Sequence, residues 1–213
     1  MSKWRISRPL AAILLCGAVV TSLQGCVEMM VGSAVVGSLA ASDRRTFGAQ
    51  TEDRGIVLKG ETRVANLVGS AGHVNVNSFN RKVLLTGEVR DEAMKQAVER
   101  EVGAIDGVAS IVNDLAVMGN SSLTSRSNDT LITGKVKAAF VDSKELYANS
   151  VKVVTERGVV YLMGLVTQRE GQLAADIARS VSGVQKVVKV FEYISQDDLK
   201  RMQETPEQQQ SKQ

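Results

Sequence analysis

Val83-Leu84-Leu85-Thr86-Gly87-Glu88-Val89 and Val160-Tyr161-Leu162-Met163-Gly164-Leu165-Val166 follow one pattern, an apolar run with a glycine two positions before a closing valine. The two glycines stand 77 positions apart. Upstream, Val74-Asn75-Val76 matches Val151-Lys152-Val153 at the same offset, and downstream Asp106-Gly107-Val108 matches Ser182-Gly183-Val184 at an offset of 76. Three landmarks in register identify an internal repeat, so one folding unit is used twice.

Working outward, His73–Phe79 and Ser150–Thr155 alternate apolar and polar residues, the period of a half-buried strand. Asn80-Arg81 and Arg157-Gly158 are turn signals, and Lys82–Val89 and Val159–Val166 supply the second strands of two hairpins. Gly87 and Gly164 fall inside those strands, where glycine marks a bulge or a close backbone approach. A helix follows in each copy, with Met94, Val98, Val102 and Ile105 on one face of the first. Leu173, Ile177 and Val181, flanked by Ala174 and Ala178, do the same in the second. Gly107 and Gly183 end these helices, and the β-branched runs Val108–Val117 and Val184–Ile194 read as third strands. Strand, helix and strand in succession require a right-handed crossover, so each sheet is expected to be mixed.

An opening helix is expected before each hairpin. In the second copy Asn128 or Asp129 is a candidate cap, and Ile132, Val136 and Phe140 form the buried stripe. In the first copy, Asp53–Val68 contains Gly55 and Gly60, each costing about 1 kcal/mol against alanine, so a shorter or frayed helix is expected. The fold class is α+β: two tandem αββαβ modules, each a three-stranded mixed sheet packed on two helices, over residues 53–117 and 128–194. Residues 118–127 (MGNSSLTSRS) read as a linker. Residues 195–213 read as a polar tail, with a short helical start around Asp198–Met202 and then disorder.

Lys3, Arg5 and Arg8 precede an apolar run, Leu10–Leu23, in the charged-then-apolar order of an export signal over residues 1–25. The run is shorter than the ~20 residues that span a bilayer. It closes on Leu23-Gln24-Gly25-Cys26, and residues 26–52 read as a tether. The rival Cys16 follows the bulky Leu15 in the middle of the apolar run. Without the signal, 23 basic residues balance 23 acidic ones, which removes the electrostatic argument for a nucleic-acid partner. Loss of Cys16 with the signal leaves no second thiol for a disulfide. His73 is the single histidine and reads as a polar strand residue, so metal binding and Ser/His or Cys/His catalysis lack their parts. No cofactor, no small-molecule substrate and no enzymatic activity are expected.

On the second opening helix, Leu131 and Lys135 lie side by side at i, i+4 spacing, on a different face from Ile132, Val136 and Phe140. An exposed apolar residue beside a cation can enter lipid headgroups while the amine meets phosphate. A single exposed leucine is also ordinary on any surface. Residues 128–194 carry nine basic against seven acidic residues, and 53–117 eight against nine, a slight tilt of the second module toward an anionic surface.

The order helix, hairpin, helix, strand, with V-x-L-x-G closing the hairpin and G-V opening the last strand, resembles the BON domain. Asn128–Val136 and Val160–Thr167 carry the closest matches. Leu23-Gln24-Gly25-Cys26 resembles the bacterial lipobox, and two BON domains behind it resemble the dual-BON outer-membrane lipoproteins. That resemblance implies acylation of Cys26 and, with Val27 rather than Asp following it, outer-membrane sorting on the periplasmic face. It implies contact with anionic phospholipid through Leu131, Val141 and Gly164, support of the outer-membrane barrier, and gathering at division sites. Leu131 stands where the family has a bulky aromatic. An envelope or division protein bound by the same helix is the alternative partner.

Overall fold

Thr46 starts the first helix: its Oγ1 accepts from the Ala49 N–H in the computed structural model, which describes residues 43–143 and 145–203. The export signal, Cys26 and residues 204–213 lie outside the described residues. Helix α1 (Phe47–Val68) runs unbroken for 22 residues, neither short nor frayed as its glycines suggested, and it starts inside the stretch read as tether. Packing explains the difference. Asp53, Ile56, Gly60, Val64 and Val68 form its buried stripe, and a Cβ on Gly60 would come within 2.9 Å of Val76 Cγ1, so that glycine sets how closely helix and sheet approach.

The first module continues as β1 (Gly72–Phe79), β2 (Lys82–Val89), α2 (Glu92–Gly103), β3 (Ser110–Asn113) and β4 (Ala116–Val117). β1 pairs antiparallel with β2, while β3 and β4 both run parallel to β2. The mixed sheet is as expected, but its third strand comes in two pieces. At the break Leu115 drops into the core, and the Asn113 side chain accepts from the Leu115 N–H.

The second module has α3 (Leu123–Asp142), β5 (Val151–Glu156), β6 (Val159–Val166), α4 (Gln168–Ser180), β7 (Lys186–Tyr193) and then α5 (Gln196–Gln203). β6 pairs antiparallel with β5 and parallel with β7. Ile132, Val136 and Phe140 are buried as the periodicity predicts. The cap is Ser122, however, so α3 begins within the stretch read as linker and Asp129 is two turns inside the helix. The packing face of α4 also differs from expectation. Glu170, Gly171, Ala174, Ala175 and Ala178 are its buried residues, whereas Leu173, Ile177 and Val181 are only partly covered. Small side chains let this helix lie close on Phe191 of β7.

Asp129 has a different task, repeated in both modules. Both hairpins turn through two left-handed residues, Asn80 (φ 50°) and Arg81 (φ 67°), then Arg157 (φ 49°) and Gly158 (φ 73°), as a tight two-residue hairpin turn requires. Asp129 accepts the Arg157 and Gly158 N–H groups at 2.8 Å each. Asp53 accepts those of Asn80 and Arg81 at 2.7 and 2.8 Å, together with the Ser78 hydroxyl at 2.6 Å. One carboxylate per opening helix therefore holds its own hairpin turn.

Each sheet carries its helices on one face and presents the other face to its twin. Phe79 and Leu84 of the first module join Tyr161, Met163, Leu165 and Val190 of the second in a separate apolar cluster. Tyr161 donates its hydroxyl to Asp114 Oδ2 at 2.6 Å; burial, reinforced by this carboxylate, raises the phenol above its ordinary range. Before α1, Arg44 adds a two-pronged ion pair to Glu170 at 2.5 and 2.9 Å and donates to the Leu165 carbonyl. The modules are thus fastened by an apolar seam and by the segment that leads into them.

Candidate functional site

Helix α3 buries Ile132, Val136 and Phe140, and what it turns outward follows from 3.6 residues per turn. Leu123, Leu131 and Val141 fall within about one quadrant of its outer face, flanked by Lys135 on one side and Lys137 on the other. Their exposures are 79, 64 and 72%, so three large aliphatic side chains stand in solvent along one helix. Tyr147, also exposed, follows the C-terminal end of the same helix. Gly134 lies between these residues, and a Cβ there would touch nothing within 4 Å.

Of the residues expected to meet lipid, Leu131, Lys135 and Val141 share this face. Gly164 does not. It is buried in β6 opposite Val151, where a Cβ would come within 2.5 Å of the Ser150 carbonyl oxygen. Its smallness lets two strands approach, and it offers no surface to a ligand. Leu123 and Tyr147 were missed by sequence reasoning, Leu123 because it was placed in a linker and Tyr147 because it follows the helix.

A second constellation lies between the modules. Cross-strand register puts His73 opposite Glu88 and Asn75 opposite Thr86, so all four occupy the face that β1 and β2 turn to the second module. Glu156 enters from β5, beside Arg157 of the turn. Donor atoms of His73, Glu88 and Glu156 lie within 4.8 Å of one another. Glu88 is wholly buried. Its Oε2 accepts the Ser121 N–H at 3.1 Å and its Oε1 the Arg157 guanidinium at 3.0 Å. Glu156, 2% exposed, accepts from Asn75 Nδ2 at 2.8 Å. His73 Nδ1 and Thr86 Oγ1 are buried atoms without a hydrogen-bond partner among the described residues. His73 lies in β1, as the sequence reading of it as a polar strand residue placed it, and folding brings to it Glu88, its cross-strand partner, and Glu156 of the second module.

The two carboxylates diverge electrostatically. Burial pushes Glu88 up, but the Ser121 amide and the Arg157 guanidinium outweigh it and hold the group below its ordinary value. Burial also pushes Glu156 up. Its one Asn75 hydrogen bond opposes this insufficiently, the Glu88 charge adds to the rise, and the group stays above its ordinary value. The folded protein therefore binds the Glu156 proton more tightly than the unfolded chain. The resulting stabilisation is complete below the ordinary value of 4.5 and is lost as pH rises through the folded one. At neutral pH the ionised carboxylate costs stability, so Glu156→Gln in a chelator-containing buffer is expected to raise the thermal midpoint. The gain should shrink below about pH 4, where both variants are uncharged. Melting curves at pH 7 and pH 4 check this.

The BON domain profile matches residues 59–119 and 128–195. The chain is 40% identical over 186 residues to "Outer membrane lipoprotein DolP" of Haemophilus influenzae, covering 86% of this chain and 95% of that one. It is 34% identical over 158 residues to a "21 kDa hemolysin" of Actinobacillus pleuropneumoniae, covering 71% and 79% of the two chains. It is also 27% identical to "Osmotically-inducible protein Y" of Escherichia coli, with 88% and 96% covered.

Proposed function

This chain belongs to the BON-domain family, and from that membership we propose that it is an outer-membrane lipoprotein, anchored through Cys26, whose second domain docks on anionic phospholipid. The observation that carries the docking is the outward face of α3, where Leu123, Leu131 and Val141 stand exposed between Lys135 and Lys137. Aliphatic side chains entering the headgroup layer leave water, and the flanking amines meet lipid phosphates there. Tyr147, apolar in its ring and polar at its hydroxyl, suits the same depth. The similarity to an outer-membrane lipoprotein over most of both chains supports the location. Three acyl chains on Cys26 would make attachment effectively permanent, because one alone binds only marginally. The anchor would then hold the weak α3 surface at high local concentration near the leaflet. Docking, in this reading, orients an already tethered protein.

The test uses residues 43–203 without the anchor, which contain both modules and the seam between them. Leu131→Glu removes one apolar contact and adds a like charge to the lipid. It is expected to weaken association with vesicles containing anionic phospholipid by roughly tenfold, from the ~1.5–3 kcal/mol that one buried leucine contributes. Neutral phosphatidylcholine vesicles should bind less in every case. Unchanged partition of the variant would refute docking through this face. If vesicle binding persists while a crosslink from position 131 to an envelope or division protein is lost, the face serves a protein instead.

A further inference from the structure

We infer that His73, Glu88 and Glu156 form a divalent-metal site of the zinc class that bridges the two BON domains. Every ligand set of this kind needs donors of the right chemistry within reach of one point. One imidazole and two carboxylates, with donor atoms within 4.8 Å of one another, meet that requirement. Three protein ligands leave the fourth tetrahedral position to water.

Four observations point to a ligand beyond mere proximity. His73 Nδ1 is buried and makes no hydrogen bond among the described residues, standing 3.6 Å from Glu88 Oε2, an expensive state for a ring nitrogen that a metal would resolve. Thr86 is fully buried with its Oγ1 also unbonded, and strand alternation turns it toward the second domain together with Leu84 and Glu88. The fixed charges do not balance: two buried carboxylates meet one fixed cation, Arg157, and the His73 ring, with Nδ1 3.6 Å from Glu88 Oε2, adds a compensating charge only when protonated. Finally, both carboxylates are already aimed. Arg157 and the Ser121 amide hold Glu88, and Asn75 holds Glu156, as outer partners orient metal ligands.

Access exists as well. A cleft of about 210 Å³, lined by His73, Asn75, Thr133, Thr155 and Glu156 among others, reaches two of the three ligands. His73 and Glu88 come from the first domain and Glu156 from the second, so a bound ion would staple the domains together. This assignment is independent of the membrane reading of α3.

The experiment exploits the single histidine. Untagged full-length mature protein, stripped with chelator and held in detergent micelles, is titrated with Zn²⁺ while its one imidazole resonance is followed by NMR. The resonance is expected to shift and saturate at one ion per chain, with a rise in thermal midpoint as ion is added. His73→Gln and Glu156→Gln should each weaken binding at least ~10-fold, the lower end of what even an orienting partner contributes. Glu156→Gln keeps shape and removes charge, so a fold defect cannot mimic its result. An imidazole signal indifferent to excess Zn²⁺ would overturn the assignment. So would variants that bind as tightly as the parent, because the ion would then sit on other carboxylates.

Discussion

Gly87→Ala is expected to cost the protein about 4 kcal/mol, the sum of a strained backbone and a backbone collision. Gly87 sits at φ +117°, a conformation that side chains rarely adopt, and a Cβ there would lie 2.0 Å from the His73 carbonyl oxygen. Neither problem can be relieved by rotating a flexible side chain. β1 or β2 must move, and both carry residues of the interdomain seam and the polar cluster. Gly164→Ala tests the same position of the second repeat, where the Cβ would meet the Ser150 carbonyl oxygen at 2.5 Å without a left-handed φ. Only the collision applies there, and the loss should be about 2 kcal/mol. Urea unfolding of both variants checks the ranking; equal losses would contradict the strain argument.

Asp53→Ala should cost about 3–4 kcal/mol, because it removes the acceptor of a buried ion pair and leaves backbone donors unsatisfied. Its carboxylate takes the Ser78 hydroxyl, the Asn80 and Arg81 amides, and the Arg45 guanidinium at 2.7 Å. Arg45 in turn lies over the Phe79 ring at 4.1 Å, so losing Asp53 also frees a side chain at the edge of the interdomain seam. Burial alone would push Asp53 up. The hydrogen bonds from Ser78, Arg81, Arg45 and Asn80 together reverse this and hold it below its ordinary value of 3.8. Its contribution is therefore complete above that value and is lost as pH falls through the lower folded value. The gap in urea midpoint between parent and variant should be constant from about pH 5 to 8 and should close toward pH 2. A gap that does not narrow in acid would mean that the carboxylate charge plays no part.

Much of the fold could be read without coordinates because the relevant signals are local. Ile132, Val136 and Phe140 repeat at the helical period, and the runs that form β1 and β5 alternate at the period of a strand. Those spacings decide which side chains share a face whatever the face meets. The repeat then fixed the order of elements twice over. Helix ends were less legible, since Ser122 and Thr46 cap α3 and α1 with a signal no stronger than that of Asn128 or Asp129. The first-module glycines misled for a definite reason: the penalty of Gly60 in an isolated helix is offset where its missing side chain lets β1 pack close.

The same division runs through the sites. The pairing of Leu131 with Lys135 was accessible to sequence reasoning, because i, i+4 neighbours on one helix need no partner to define them, whereas Val141 was named only through the family resemblance. Gly164 entered the lipid-contact set only through the family resemblance, whereas the reading of a strand glycine as a close backbone approach describes where it lies.

The sequence by itself determined the repeat, the mixed sheets and the stripe that the second opening helix buries, since all are written in spacings of a few residues. Only the tertiary structure decided that the two sheets meet through Leu84, Tyr161 and Met163, that Asp53 and Asp129 hold hairpin turns, and that His73 finds Glu88 and Glu156. Such pairings join positions up to 83 residues apart, and no local period records them. They arise when apolar faces leave water together and bring their polar neighbours along.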